Sequence, residues 1–234
     1  MLANLPVEII LLICEYPEFK DLGQLAWINK RMMQIIKKYL PMALERKILL
    51  YLNYESDKIW EGRICLFDSH TNSVEQITKF TNYLEAYDVA TAKDKIFAIR
   101  SYEEWFEIFD LNTRQITRGP DPPEWREYAS VAYFKDKVYY LGGRDPETWE
   151  DTNRVDVLID GEWQTGPDFP LPISRAQTMT CDGILYVIEE LGNRKIYRLS
   201  DNEREWIEIG AIPEKRYSFG VASLNGKIYI TGGH

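Results

Sequence analysis

Histidine is almost missing from this chain: His70 and His234 are the two in 234 residues. That scarcity removes imidazole-rich metal sites and leaves the serines and threonines without a nearby base, so hydrolytic and metal-dependent chemistry have little to work with. Cysteine is scarce too. Cys14, Cys65 and Cys181 are odd in number and far apart, which excludes a disulfide framework or a zinc motif and points to reduced thiols in the cytoplasm or nucleus. No apolar run approaches the roughly 20 residues that span a bilayer, so no membrane partner is expected. The opening MLANLPVEIILLICEY lacks a basic leader and a small-residue cleavage pattern and carries Glu8 and Glu15, so it is not expected to be a secretory signal. Basic charge is also in deficit, with 28 Lys and Arg against 37 Asp and Glu. Residues 1–47 hold seven Lys/Arg and five Asp/Glu, a net +2, which leaves −11 for the remainder. An acidic body disfavours nucleic acid as a partner and favours a basic one.

What is present falls into two textures. From Pro6 to Leu40 apolar residues recur at helical spacing, beginning with Ile9, Leu12, Ile13 and Tyr16. Pro6 suits a first turn, and Pro17 ends that helix. Asp21 with Gln24 reads as a capping box for a second helix that carries Leu22, Leu25 and Ala26 inward. Met32, Ile35, Ile36 and Leu40 make a third, with Lys30, Arg31, Lys37 and Lys38 on its outer face. Beyond about residue 48 the chain becomes short runs rich in Ile, Val, Tyr and Phe, broken by turn pairs such as Asp182–Gly183.

The second texture repeats. WREYASVAYFKDKVYYLGG (125–143) matches KRYSFGVASLNGKIYITGG (215–233), with Arg126 and Arg216 each sixteen residues before the first glycine of a pair. A looser copy lies between, in which Arg175 precedes Tyr186 by eleven residues where the outer copies have thirteen. Phe97, Tyr139, Tyr186 and Tyr229 serve as hairpin anchors spaced 42, 47 and 43 residues apart, with Tyr51 as an earlier candidate, and such anchors are expected in the core. A unit of this length with four short strands suits one blade of a β-propeller. The expected boundaries are 48–85, 86–124, 125–172, 173–215 and a partial 216–234, giving four to five blades, either of an incomplete or truncated propeller or of a ring closed by an unusual arrangement.

Two resemblances follow. LPVEIILLICEYPEFKDLGQLAWINKRMMQIIKKYL resembles an F-box through Leu5, Pro6, Glu8, Ile9, Ile13, Asp21, Leu22, Leu25, Ala26, Ile28, Lys30 and Arg31, departing at Met32 and Pro17. The β half resembles kelch repeats: an Arg, a hairpin ending in Tyr, a glycine pair kept at Gly142–Gly143 and Gly232–Gly233, then a distal Asp and Trp. The expected fold is therefore mainly β, a small N-terminal three-helix F-box (1–47) before a kelch-type propeller (48–234). The F-box resemblance implies docking onto the Skp linker subunit and, through it, a cullin-RING (SCF) ubiquitin ligase, with the propeller holding a target protein of unknown identity. No catalytic residue, metal or cofactor is implied. A kelch scaffold without a ligase, or a decoy that sequesters the linker, fits the same residues. Arg126, Arg144, Trp149, Arg175 and Arg216 are the candidate target-binding residues, because Arg and Trp anchor interfaces and these positions fall on loops; a structural role for the repeated arginines is the competing reading. Glu103–Glu104 and Glu189–Glu190 read as solvated turn charges.

Overall fold

The computed structural model describes residues 47–56, 59–68, 72–82, 88–92, 94–101, 104–190, 194–224 and 226–233. The expected docking segment, with Leu5, Pro6, Glu8, Ile9, Ile13, Asp21, Leu22, Leu25, Ile28, Lys30 and Arg31, lies outside the described residues. Among those described, every regular element is a β-strand, and the chain divides into two compact units, Met1–Glu85 and Ala86–His234.

In the first unit β1 (Lys47–Ser56), β2 (Ile59–Asp68) and β3 (Ser73–Asn82) form an antiparallel meander in chain order. Three ten-residue strands thus stand where the repeat pattern predicts four short ones. KILLYLNYES contains neither Gly nor Pro, so nothing interrupts the first strand. Tyr51, expected as a hairpin anchor, lies on the first strand of its sheet, paired with Ile64, whereas the anchors of the second unit lie on the second strand of theirs.

The second unit holds three four-stranded antiparallel meanders and a hairpin. The first sheet is β4 (Asp88–Thr91), β5 (Lys95–Arg100), β6 (Trp105–Asp110) and β7 (Ile116–Arg118). The second is β8 (Ser130–Phe134), β9 (Lys137–Leu141), β10 (Val155–Ile159) and β11 (Glu162–Thr165). The third is β12 (Ala176–Cys181), β13 (Ile184–Glu189), β14 (Lys195–Leu199) and β15 (Trp206–Ala211), and the hairpin is β16 (Phe219–Leu224) with β17 (Lys227–Gly232). The first strands of successive sheets, β4, β8, β12 and β16, lie side by side without exchanging ladder bonds. This is the blade arrangement of a propeller.

The core lies between sheets. In β9, Tyr139 and Leu141 pack with Leu185, Val187, Tyr197 and Trp206 of the third sheet. Val138 and Tyr140, the alternate residues, pack with Phe97, Ile99 and Phe106 of the first. Period-two alternation therefore sends consecutive residues into two different cores, which is why KVYYL reads as unbroken apolar sequence. The outer strands tie each sheet to the connector before it: the indole of Trp163 donates to the Pro120 carbonyl and that of Trp206 to Pro167, both at 2.8 Å. Side-chain hydroxyls bridge the innermost strands, Ser130 to the Ala176 carbonyl at 2.6 Å and Thr178 to Val131 at 2.8 Å.

The hairpin anchors are not equally buried. Phe97 and Tyr139 are buried, Tyr186 is partly buried, and Tyr229 is 48% exposed. The core expectation for Tyr186 is corrected on that point: it lies on the strand face shared with Ile188, toward β16 and β17, and a two-stranded neighbour covers less than a four-stranded one. Glu189 is likewise no solvated turn charge, being buried with its carboxylate accepting from the Lys195 N–H at 3.0 Å.

Arg126 is 2% exposed. Its guanidinium pairs with the fully buried Asp156 at 2.6 Å, donates to the carbonyls of Gly142 and Tyr140 at 2.6 and 3.1 Å, and stacks on the Tyr140 ring at 4.4 Å. Arg154 reaches the other oxygen of Asp156 at 3.0 Å. Arg126 is therefore an internal brace of the second sheet, and the expectation that it contacts a target is corrected: every donor direction points inward. The nearby glycine pair is required sterically. At Gly142, with φ +56°, an added Cβ would lie 2.2 Å from the Ile173 carbonyl oxygen.

A second polar brace joins sheets at the opposite end. Glu203, in the β14–β15 turn, accepts from Lys135, Lys137 and Tyr139 of the β8–β9 hairpin at 3.0, 2.5 and 3.1 Å. Burial alone raises the Glu203 carboxyl, but those hydrogen bonds outweigh it and hold the group at about 2.

Two outcomes follow from these braces. Asp156→Ala strands Arg126 in the interior and is expected to cost about 3–5 kcal/mol in urea unfolding, with Arg126→Met/Asp156→Leu recovering much of the loss. Glu203 has its folded pKa below the unfolded 4.5, so its contribution is complete above that value and lost as pH falls toward 2. Glu203→Gln should destabilise by about 1 kcal/mol at neutral pH, given solvent screening of Lys135, and the gap to wild type should close between pH 4.5 and 2.

Candidate protein-interaction site

In each sheet the strand directions place two kinds of loop at opposite ends. The tight hairpins β8–β9, β10–β11, β12–β13 and β14–β15 share one end. The connectors between sheets and the loops β9–β10 and β13–β14 share the other. Among the described residues of the second unit, the large apolar side chains exposed outside strands are Trp149 (60%), Leu171 (47%) and Tyr217 (37%), and all three belong to the connector end. Exposed apolar side chains gathered at one end of a fold mark a contact surface better than scattered ones do.

The connector end is built around Tyr128, just before β8. Tyr128 has φ +55°, and its carbonyl accepts from the Arg175 N–H at 2.9 Å, locking the second sheet to the third. The Arg175 guanidinium lies 4.0 Å over the Tyr128 ring and that of Arg144 lies 6.0 Å from it. Arg144 pairs with Asp151 at 2.9 Å, and its backbone exchanges bonds with Glu127 at 2.9 and 2.7 Å. Arg175 is exposed and makes no ion pair among the described residues.

From this base residues 144–151 project as a closed loop. Its neck is fastened by the Arg144–Asp151 bridge and by Thr152 donating to the Gly143 carbonyl at 2.8 Å. Inside it, the Asp145 carboxylate accepts from the N–H groups of Glu147 and Thr148 at 2.8 Å each, and the Trp149 N–H reaches the Asp145 carbonyl at 2.9 Å. The Thr148 and Glu147 amides hold the Asp145 carboxyl below its ordinary range, so it stays charged. The loop thus presents Trp149 in a fixed left-handed conformation, φ +60°.

Of the five expected target-binding residues, the structure brings Arg144, Trp149 and Arg175 to one end of the fold. Arg126 is interior. Arg216 also belongs to that end but is half-buried, donating to the Gly232 carbonyl at 3.0 Å and pairing with Glu214 at 3.3 Å, which repeats the Arg126 to Gly142 contact. The equivalence of Arg175 with Arg126 and Arg216 is corrected. Eleven residues before its anchor, Arg175 corresponds to Tyr128 and Ser218, and all three have φ between +50° and +55°. Ile173 occupies the place of the arginine. Tyr128 itself was overlooked in the sequence; its count of eleven residues before Tyr139 was the available signal.

Two cavities lie elsewhere in the second unit, neither lined by Tyr128, Arg144, Trp149 or Arg175. One, about 450 Å³, runs along β4, β8 and β12 and is lined mainly by Ala90, Val131, Ala132, Thr178 and Leu185, with Lys135 its one charged residue. The other, about 570 Å³, lies beside the Glu203 brace. Among the described residues no group of three His, Cys, Asp or Glu could hold a metal ion, and both described cysteines are buried free thiols.

No family model matches the chain. It is 25% identical over 127 residues to kelch repeat and BTB domain-containing protein 12 of Danio rerio, covering 47% of this chain and 20% of that protein. It is 28% identical over 145 residues to kelch domain-containing protein 8B of Rattus norvegicus, covering 55% and 41%. Against alpha-scruin of Limulus polyphemus the figures are 24% over 123 residues, covering 47% and 13%. The chain therefore spans less than half the length of these curated relatives. The solved structure of YjhT superposes with a TM-score of 0.53 at 14% identity, over 62% of this chain and 57% of that one. Together with the side-by-side four-stranded sheets, these likenesses support kelch repeats folded as blades of a β-propeller.

Proposed function

We propose that this chain is a non-enzymatic adaptor that holds a target protein on the connector end of its kelch sheets. Its N-terminal segment, by its resemblance to an F-box, docks the Skp linker of a cullin-RING ubiquitin ligase, so that the target is presented for ubiquitin transfer. The observation that carries the recognition half is the rigid connector end, where Trp149, Leu171 and Tyr217 are exposed beside Arg144 and Arg175. Such a surface fits protein recognition: aromatic and arginine anchors on loops fixed by hydrogen bonds lose little entropy on binding. The recruitment half rests on Leu5, Pro6, Ile9 and Ile13 as an apolar stripe for a partner groove, with Lys30 and Arg31 steering association with an acidic linker surface. The expected setting is the cytoplasm or nucleus.

A kelch scaffold acting without a ligase is the second reading, favoured by relatives whose names carry kelch repeats and no F-box. Affinity purification of the full chain with mass spectrometry separates the two. Recovery of the linker, lost on Leu5→Ala/Pro6→Ala, supports the ligase adaptor. Unchanged recovery in that variant overturns the docking assignment, and recovery of targets without any linker selects the scaffold. A decoy would recover the linker yet slow turnover of other adaptors' substrates.

A further inference from the structure

The connector end is unevenly charged, and the imbalance is concentrated beside its most exposed aromatic. Residues 86–234 carry 18 Lys and Arg against 26 Asp and Glu. Within the loop RDPETWED, Asp145, Glu147, Glu150 and Asp151 flank Trp149 in sequence, with Arg144 the one cation. Arg144 is already neutralised by Asp151 and turned toward Tyr128. Glu147 and Glu150 are exposed and pair with no cation among the described residues, and Trp149 is the most exposed large apolar side chain described. Arg144, five residues earlier, lies 6.0 Å from the Tyr128 ring, and Trp149 is 60% exposed.

We infer that the loop 144–151 is the docking point for a basic segment of the partner protein, with a Lys or Arg side chain of that segment seated on the Trp149 indole between Glu147 and Glu150. The inference rests on the reading of the connector end as a recognition surface and adds the chemistry of what it recognises. Trp is the best aromatic acceptor of a cation, and the flanking carboxylates favour the same sign of charge. A cation held by a π-face and two carboxylates keeps hydrogen-bond partners for its N–H groups, so its partial desolvation is compensated. The net negative charge of the second unit favours the approach of a basic segment and repels acidic ones. The Arg175 guanidinium, 4.0 Å over the Tyr128 ring, opposes a second cation at that ring and so favours the basic contact at Trp149 instead. The closed neck and the Asp145 turn hold the site before binding, so little ordering cost falls on this chain.

The test is fluorescence anisotropy of a fluorescein-labelled arginine- and lysine-rich twelve-residue peptide titrated with the full chain at physiological salt. Trp149→Ala and Glu147→Lys/Glu150→Lys are each expected to weaken binding about tenfold, while Trp149→Phe, which keeps an aromatic face, weakens it less. Glu162→Lys/Glu205→Lys makes the same change in net charge at the hairpin end and is expected to shift affinity less than about twofold, since charges beyond a Debye length are screened. Equal weakening by both charge-reversal pairs would show diffuse attraction only and overturn the proposal. So would undiminished binding by Trp149→Ala, or preferential binding of a glutamate-rich peptide of equal length. None of these readouts involves the linker, so the docking site can fail while ligase recruitment stands, and the reverse.

Discussion

Neighbouring sheets in the second unit are joined through interdigitated side chains, because their innermost strands exchange no ladder bonds. Everything else depends on that joint. It demands strands apolar on both faces, so that Tyr139 serves the core with the third sheet while Tyr140 serves the core with the first. It also explains the recurring polar contacts at the margins. Ser130 and Thr178 bridge strands that no ladder connects, and Trp163 and Trp206 fix each outer strand to the preceding connector. Each bond is modest by itself, near 1 kcal/mol, and what they add is register between sheets that apolar packing alone leaves free to slide.

Function is separated from this framework by the direction of the strands. The hairpin end is occupied by short turns and by the Glu203 brace, which engages Lys135, Lys137 and Tyr139 internally. The connector end carries the longer loops. Arg126 braces it from beneath, and the loop above opens outward with its own backbone bonds satisfied. Charge there is divided between the Arg144 and Arg175 guanidinium groups near Tyr128 and the carboxylates of the loop that carries Trp149.

Much of this was legible in the sequence. The 42 to 47 residue recurrence marks the sheets, and the paired glycines mark corners where Gly142 admits no Cβ. Trp149 was visible as an aromatic in a long polar loop. Three things were hidden. Burial of Arg126 depends on Asp156, thirty residues away on a neighbouring strand, and no local pattern reveals such a pairing. Arg175 resembles a repeat arginine by residue type, and its count of eleven residues before Tyr186 together with its positive φ sets it apart. The first unit departs from the repeat because Lys47–Ser56 contain neither Gly nor Pro to break the strand, and the repeat length alone does not fix how many strands it holds.

The left-handed residue that precedes β8, β12 and β16 is Tyr128, Arg175 and Ser218 in turn, an aromatic, a cation and a hydroxyl on one backbone conformation. A non-glycine side chain in that conformation carries a modest steric cost wherever it occurs, and the cost is nearly independent of what lies beyond Cβ. These positions therefore behave as sockets: the fold fixes where a side chain emerges and leaves open which one it is. Repetition of the sheet then multiplies the sockets around a common rim, and the rim can change its chemistry one sheet at a time while the cores beneath remain the same.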